Sequence, residues 1–137
     1  MQKKNLIIVF VLVVLVGVFI YPRVFDQTAN AVGVAEVSQE PSKYLGKLTL
    51  NGRVGTTDQE NSIFVMVDDS GCCQIPILVP FNEEQQAALE LTTLYTGKLP
   101  SEGDVVEAKG TLKREGADYI FDVDTVTRNG ETIIWRK

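Results

Sequence analysis

The chain is 137 residues long with 45% apolar residues and a formal charge of −5, which weights it towards a single domain. It has no histidine and only two cysteines, so a Ser-His-Asp triad, a Cys-His dyad, His-ligated zinc and a multi-disulfide scaffold are excluded. The charges are unevenly placed: Lys3, Lys4 and Arg23 are the only ones before Phe25, and without these three cations the remainder carries −8.

Leu6 to Tyr21 is an unbroken apolar run, and the uncharged stretch extends from Asn5 to Pro22. As a helix those 18 residues measure about 27 Å, close to the roughly 30 Å hydrocarbon core of a bilayer. In lipid the backbone must satisfy its own hydrogen bonds, so a Val- and Ile-rich run that is a poor helix former in water reads as a transmembrane helix. Residues 1–25 are therefore expected to form a single-pass signal anchor. Lys3 and Lys4 favour a cytoplasmic N-terminus, which leaves the following domain outside the cytoplasm. Cleavage as a signal peptide is the rival reading, because Ala29-Asn30-Ala31 satisfies an A-x-A pattern. No cysteine follows the run closely, which argues against a bacterial lipoprotein, and Gly17 alone makes no GxxxG pairing motif.

Residues 26–46 read as a tether and a short helical turn. Asp26 to Glu36 is small, polar and non-periodic. Pro41 opens one helical turn, Tyr44 and Leu45 pin it to the domain, and Gly46 ends it.

From 47 to 137 the pattern is that of a β domain. Leu48, Leu50, Gly52 and Val54 alternate with Thr49, Asn51, Arg53 and Gly55, a first strand with one buried face whose glycines suggest a bulge. Asp58 to Ser62 is a polar turn before a second strand, Ile63 to Val67. Asp68-Asp69-Ser70-Gly71 is the next turn, and Gln74 to Val79 the third strand. Pro76 cannot donate to a ladder, so this strand is expected at an edge or broken there.

Asn82 caps an expected helix with Glu83 and Glu84 in its first turn and Ala87, Ala88 and Leu91 behind them, fading by Thr92-Thr93. After the loop Lys98 to Asp104, Val105 to Arg114 makes a fourth strand. Glu115 to Asp118 turns it into a fifth, Tyr119 to Arg128. Asn129-Gly130 is the strongest turn signal in the chain and returns Glu131 to Trp135 as a shorter sixth strand. The expected fold is mainly β: an OB-like barrel of five to six strands with one short helix between strands 3 and 4, preceded by one transmembrane helix.

Two stretches carry a resemblance. Tyr44-Leu45-Gly46-Lys47 leading into Leu50-Asn51-Gly52-Arg53-Val54 resembles the opening strand of small bacterial extracytoplasmic OB-fold proteins. Tyr95-Thr96-Gly97-Lys98-Leu99-Pro100, then Glu102-Gly103-Asp104-Val105-Val106, then Gly110-Thr111-Leu112, is similar to the later half of the periplasmic haem chaperone of cytochrome c maturation. That family joins one N-terminal anchor to an OB-type barrel, so the resemblance implies the same architecture and an accessory task in envelope or cofactor assembly. The family attaches haem through a histidine, or in some members a cysteine, shortly after the last barrel strands, with a tyrosine a few residues on. Here the corresponding tail is Thr127-Arg128-Asn129-Gly130-Glu131-Thr132, and the helix from Asn82 to Leu91 looks like an insertion. Covalent haem through histidine is excluded, and no cofactor is expected.

Cys72-Cys73 is the sharpest local feature. Adjacent Cα atoms are about 3.8 Å apart, below the usual 4.4 Å minimum for a disulfide, so a vicinal bridge would be strained. Two free thiols, intermolecular bridges and a soft-metal half-site completed by another chain remain open. By period two Cys73 shares the face of Ile75, Ile77 and Val79, and Cys72 that of Gln74 and Leu78, so the ordinary reading is one buried small hydrophobe and one exposed thiol, and no CxxC spacing supports an oxidoreductase.

Asp122 and Asp124 share a strand face. With Asp68, Asp69 and Asp118 near in a closed barrel they would be candidate Ca²⁺ ligands, against the ordinary reading of a solvated acidic face. Phe64, Tyr119, Phe121 and Trp135 offer stacking surfaces, but a domain at −8 lacks the positive groove that phosphate needs, so nucleic acid is not an expected partner. Most of these aromatics read as core, with Trp135 the exposed one and a candidate partner contact.

The expected function is a membrane-tethered extracytoplasmic binding module for a protein partner or small ligand, not an enzyme. The alternatives are thiol-redox, metal or haem handling through Cys72 and Cys73, and a structural subunit of a membrane complex.

Overall fold

A computed structural model describes residues 31–137. The expected anchor over 1–25, its orientation by Lys3 and Lys4, Gly17, and the tether up to Asn30 with most of the A-x-A pattern lie outside the described residues. Among the described residues no helix is long and apolar enough to cross a membrane.

The strands, of which the longest carry apolar residues at every second position, pair into one sheet. They are β1 (Ala31–Gly33), β2 (Gly46–Asp58), β3 (Ile63–Val67), β4 (Gln74–Leu78), β5 (Tyr95–Gly97), β6 (Val105–Glu115), β7 (Asp118–Arg128) and β8 (Glu131–Arg136). Two short helices interrupt them, α1 (Val34–Gln39) and α2 (Glu83–Ala88), together with a 3₁₀ turn at Pro41–Tyr44. The described residues are mainly β, with eight strands, seven of them in the order β4-β3-β2-β6-β7-β8-β5. Neighbours on this path are antiparallel, and β1 pairs parallel to β2 off the path. The sheet curls into a half-barrel in which β4 comes back against β7 without a ladder joining them.

The sequence implied five or six strands. The two added ones, β1 and β5, are three residues each, too short to carry a period and defined only by distant partners. A larger difference concerns the residues before β2. What reads as a non-periodic tether contains β1 and α1, and Val34 and Val37 of α1 are only 1% and 2% exposed. Val34 packs so closely over β2 that a Cβ on Gly52 would lie 2.7 Å from Val34 Cγ2. Pro41 does open a turn and Gly46 leaves it at φ +104°, but Leu45 stays exposed, and Tyr44 alone packs against the core.

Elsewhere the local chemistry acts as its residue types require. Asn82 Oδ1 accepts the Gln85 N–H at 2.8 Å and caps α2, with Glu83 and Glu84 in the first turn where the helix dipole favours them. Leu50, Val54, Phe64, Met66, Ile77, Val106, Ala108, Val123 and Ile134 fill the core from the inner faces of six strands. Three bulges curl the sheet. Gly55 is the extra residue of β2 against β3, Asp124 that of β7 against β6, and Ile133 that of β8 against β7. The extra Asp124 shifts the phase of β7 by one, so that Phe121 and Val123 are followed inward by Val126 rather than Thr125. Opposite it, Gly110 must be glycine, because a Cβ there would meet the β7 main chain, 2.9 Å from Val123 Cα.

Candidate functional site

Strand β4 ends the sheet path, and its hydrogen bonds show which of its groups are free. Val79 donates to the Ser62 carbonyl at 3.0 Å and Asp68 to the Cys73 carbonyl at 3.2 Å. In an antiparallel pair such bonded pairs alternate with unbonded ones, so the main-chain groups of Ile75 and Ile77 turn towards β3 and those of Gln74, Pro76 and Leu78 turn away from it. The expectation of an edge at Pro76 holds: its missing N–H falls on the outward side, where the β3–β4 ladder loses nothing.

Across the seam, the Val123 carbonyl of β7 accepts from Tyr95 Oη at 2.7 Å and Arg136 Nη2 at 3.0 Å. It therefore points away from β6, and by alternation so do the main-chain groups of Phe121 and Tyr119.

A groove of about 400 Å³ runs along this seam. Ile75, Pro76 and Leu78 form one wall and Tyr119, Ile120 and Phe121 the other. Ser38 of α1 closes one end, and its buried Oγ has no hydrogen-bond partner. At the other end a second depression shares Leu78, Ile120 and Phe121 and opens towards Thr92, Tyr95, Lys113 and Asp122.

The Asp-Asp-Ser-Gly turn and the two cysteines form the β3–β4 hairpin tip. Cys72 is exposed, and Cys73 is half-buried against the core. Both thiols are free, with their sulfurs 2.6 Å apart. Asp68 organises the loop: Oδ1 accepts the Cys73 N–H at 3.2 Å, and Oδ2 accepts Ser70 Oγ at 2.6 Å and faces Cys72 Sγ at 3.5 Å. The Ser70 hydrogen bond holds the Asp68 carboxyl below the usual carboxylate range, against the opposing effect of burial. The hydrogen bond with Cys72, burial, and the neighbouring Cys72 and Asp68 charges push the Cys73 thiol up to about 11, while the Gln39 side chain at the end of α1 works the other way. Among the described residues, Asp68, Cys72 and Cys73 are the one group of three metal-ligating side chains whose donor atoms lie within 4.8 Å of one another.

The other acidic candidates are not gathered with them. Asp122 is bound by Lys113 Nζ at 2.9 Å and Arg136 Nη2 at 2.6 Å, and Asp124 by the same guanidinium at 3.2 Å. Burial opposes the Arg136 charge, yet Asp122, Tyr95 and Asp124 together hold its pKa above the usual value. Asp69 extends into solvent 3.8 Å from Arg53, and Asp118 sits exposed at the β6–β7 turn. Of the aromatics, Phe64 and Phe121 are buried, Tyr119 is half-buried along the seam, and Trp135 is 43% exposed on β8.

Neither the Tyr95–Arg136 pair nor the joining of Asp68 to the cysteines is among the sites expected from the sequence. Only the second had a local signal, a turn residue five positions before Cys73. Compared with models of protein families, with curated proteins and with solved structures, the chain matches none.

Proposed function

We propose that the chain is a membrane-tethered, extracytoplasmic OB-type binding module that takes an extended segment of a protein partner along the free edge of β4. The path β4-β3-β2-β6-β7, with α2 lying in sequence between its first three strands and its last two, is the connectivity expected of an OB barrel. The observation that carries the binding reading is the seam: outward main-chain groups of β4 lie beside an apolar groove in a fold that would ordinarily close there.

An incoming strand would gain main-chain hydrogen bonds from Gln74 and Leu78 and bury alternate side chains against Ile75, Ile120 and Phe121. Nothing in this task calls for catalysis. The apolar N-terminal run supports the tether, and the likeness to the haem chaperone's pattern supports an accessory role in envelope or cofactor assembly. The acidic domain favours a protein over nucleic acid.

Site-specific photocrosslinking of the full chain in its native membrane tests this. A photoreactive residue at exposed Gln74 should give one protein adduct that disappears when Ile120→Arg places a charge in the groove, while the same probe at exposed Lys109, on β6 and outside the groove lining, gives none. Absence of a protein adduct at Gln74, or an adduct indifferent to Ile120→Arg, would overturn the assignment.

A further inference from the structure

The β3–β4 hairpin tip lies outside the seam walls and carries chemistry that partner binding does not use. We propose that Asp68, Cys72 and Cys73 form a three-donor site for a zinc-like, borderline-soft divalent cation, with a fourth coordination position open to solvent or to a donor from another molecule.

The donor set selects the metal class. Two thiolates and one carboxylate suit a cation of zinc type, whereas calcium and magnesium take oxygen ligands and monovalent copper prefers sulfur alone. The chain has no histidine, and of its two methionines Met66 is wholly buried, so the hairpin is where soft donors reach solvent in the described domain.

The geometry is close to what the ion needs. Tetrahedral coordination with Zn–S of about 2.3 Å and Zn–O of about 2.1 Å puts sulfur and oxygen about 3.6 Å apart and two sulfurs about 3.8 Å apart. Cys72 Sγ already lies 3.5 Å from Asp68 Oδ2. The sulfurs, at 2.6 Å, must open by about 1.2 Å to reach the tetrahedral separation, and the exposed side chain of Cys72 has solvent on the side towards which it would move.

The backbone is already set for this. The Cys73 N–H fixes Asp68 Oδ1, and the Asp68 N–H to Cys73 carbonyl bond closes the loop. Binding replaces two S–H bonds with two metal–sulfur bonds and releases both protons to solvent, so no electron is transferred and no oxidant is required. With Cys72 exposed the site is open, which suits an ion that is handed on or shared with a second protein rather than sealed within a fold.

The test is titration of the reduced full chain in detergent with Co²⁺ as a spectroscopic stand-in, followed by displacement with Zn²⁺. The expected result is a thiolate-to-cobalt charge-transfer band that saturates at one equivalent and is abolished by one equivalent of Zn²⁺. Cys72→Ser/Cys73→Ser should remove the band. Asp68→Asn, in which the side-chain oxygen can still accept the Cys73 N–H, should weaken binding at least about tenfold. Asp69→Asn, one residue away but reaching into solvent, should match the wild type. Fluorescence of the single tryptophan checks that each variant is folded. No band in the wild type, a band surviving in the double serine variant, or Asp68→Asn binding as tightly as the wild type would each overturn the three-donor site.

Discussion

The segment before β2 gives the sharpest test of the structure, because the sequence pattern and the fold assign it opposite characters. As a tether, Val34 and Val37 would sit in water and their truncation would change stability by no more than about 0.5 kcal/mol. In the fold both are buried, and Val34 lies over Gly52 and Met66. Val34→Ala removes two methyl groups, a transfer loss of about 1.6 kcal/mol at about 0.8 kcal/mol per methylene-sized group. Incomplete collapse of the cavity raises this to about 2–3 kcal/mol. For a domain of this size each kcal/mol is worth about 4 °C, so the expected fall in Tm is about 8–12 °C.

Urea unfolding of the full chain in detergent, followed by Trp135 fluorescence, reads the change as a shifted midpoint at constant slope. Glu36→Gln, on the exposed side of α1, is the control and should stay within about 0.5 kcal/mol. The two valines share one short helix, so their combined effect need not be additive. A Val34→Ala/Val37→Ala double variant within about 0.5 kcal/mol of the wild type would refute the docking of α1.

Three further outcomes are expected. Gly110→Ala drives a Cβ into the main chain of Asp122 and Val123 and should cost about 1–3 kcal/mol by denaturant unfolding; a neutral result would remove the bulge at Asp124. Tyr95→Phe deletes the hydroxyl donated to the buried Val123 carbonyl but leaves that oxygen its Arg136 partner, so calorimetry should show a loss of about 1 kcal/mol, and a stabilised variant would contradict the bond. Arg128 and the Ser101 N–H hold the Asp104 carboxyl below its ordinary pKa. Its contribution is therefore present above the unfolded value near pH 4 and lost as pH falls through the lower folded value; Asp104→Asn should flatten stability in that acid window and nowhere above it.

Most of the sheet could be read from the chain because its elements carry local signals. The strand at Ile63–Val67 is an unbroken run of apolar, mostly β-branched or aromatic residues between two polar turns, α2 has an Asn cap followed by two glutamates, and the β6–β7 and β7–β8 hairpins have Gly116 and Asn129-Gly130 at their turns. The elements that escaped depend on distant partners. Ala31–Gly33 is a strand only because Thr49–Asn51 lies beside it, and Tyr95–Gly97 only because β8 does. Two valines three residues apart are too few to show a helical period.

The bulges were hidden for a different reason. Period-two reasoning places Asp122 and Asp124 on one face by counting, but the inserted Asp124 breaks the count, and what brings the two carboxylates together is Arg136 from another strand. The candidate site was legible in pieces. The Asp-Ser-Gly turn and the paired cysteines were both visible, but the closure that sets Asp68 against both sulfurs requires the β3–β4 register.

The open seam has a chemical cause on each of its two strands. Closing the barrel would require β4 to exchange hydrogen bonds with β7, using the outward groups of Gln74, Pro76 and Leu78. Proline supplies no N–H at the middle of those three positions, and on the other strand the Val123 carbonyl is already taken by Tyr95 and Arg136. Closure would therefore gain few hydrogen bonds while still fixing both strands, and the edge stays free. The same proline restrains that edge, because a second copy of β4 pairing at this position would leave a carbonyl without a donor. A partner that fits must bring donors for the free carbonyls of β4, leave the position opposite Pro76 without need of one, and bury its apolar side chains between Leu78 and Phe121. If β4 is the binding edge proposed above, Pro76 would act against indiscriminate strand addition while leaving room for a matched segment.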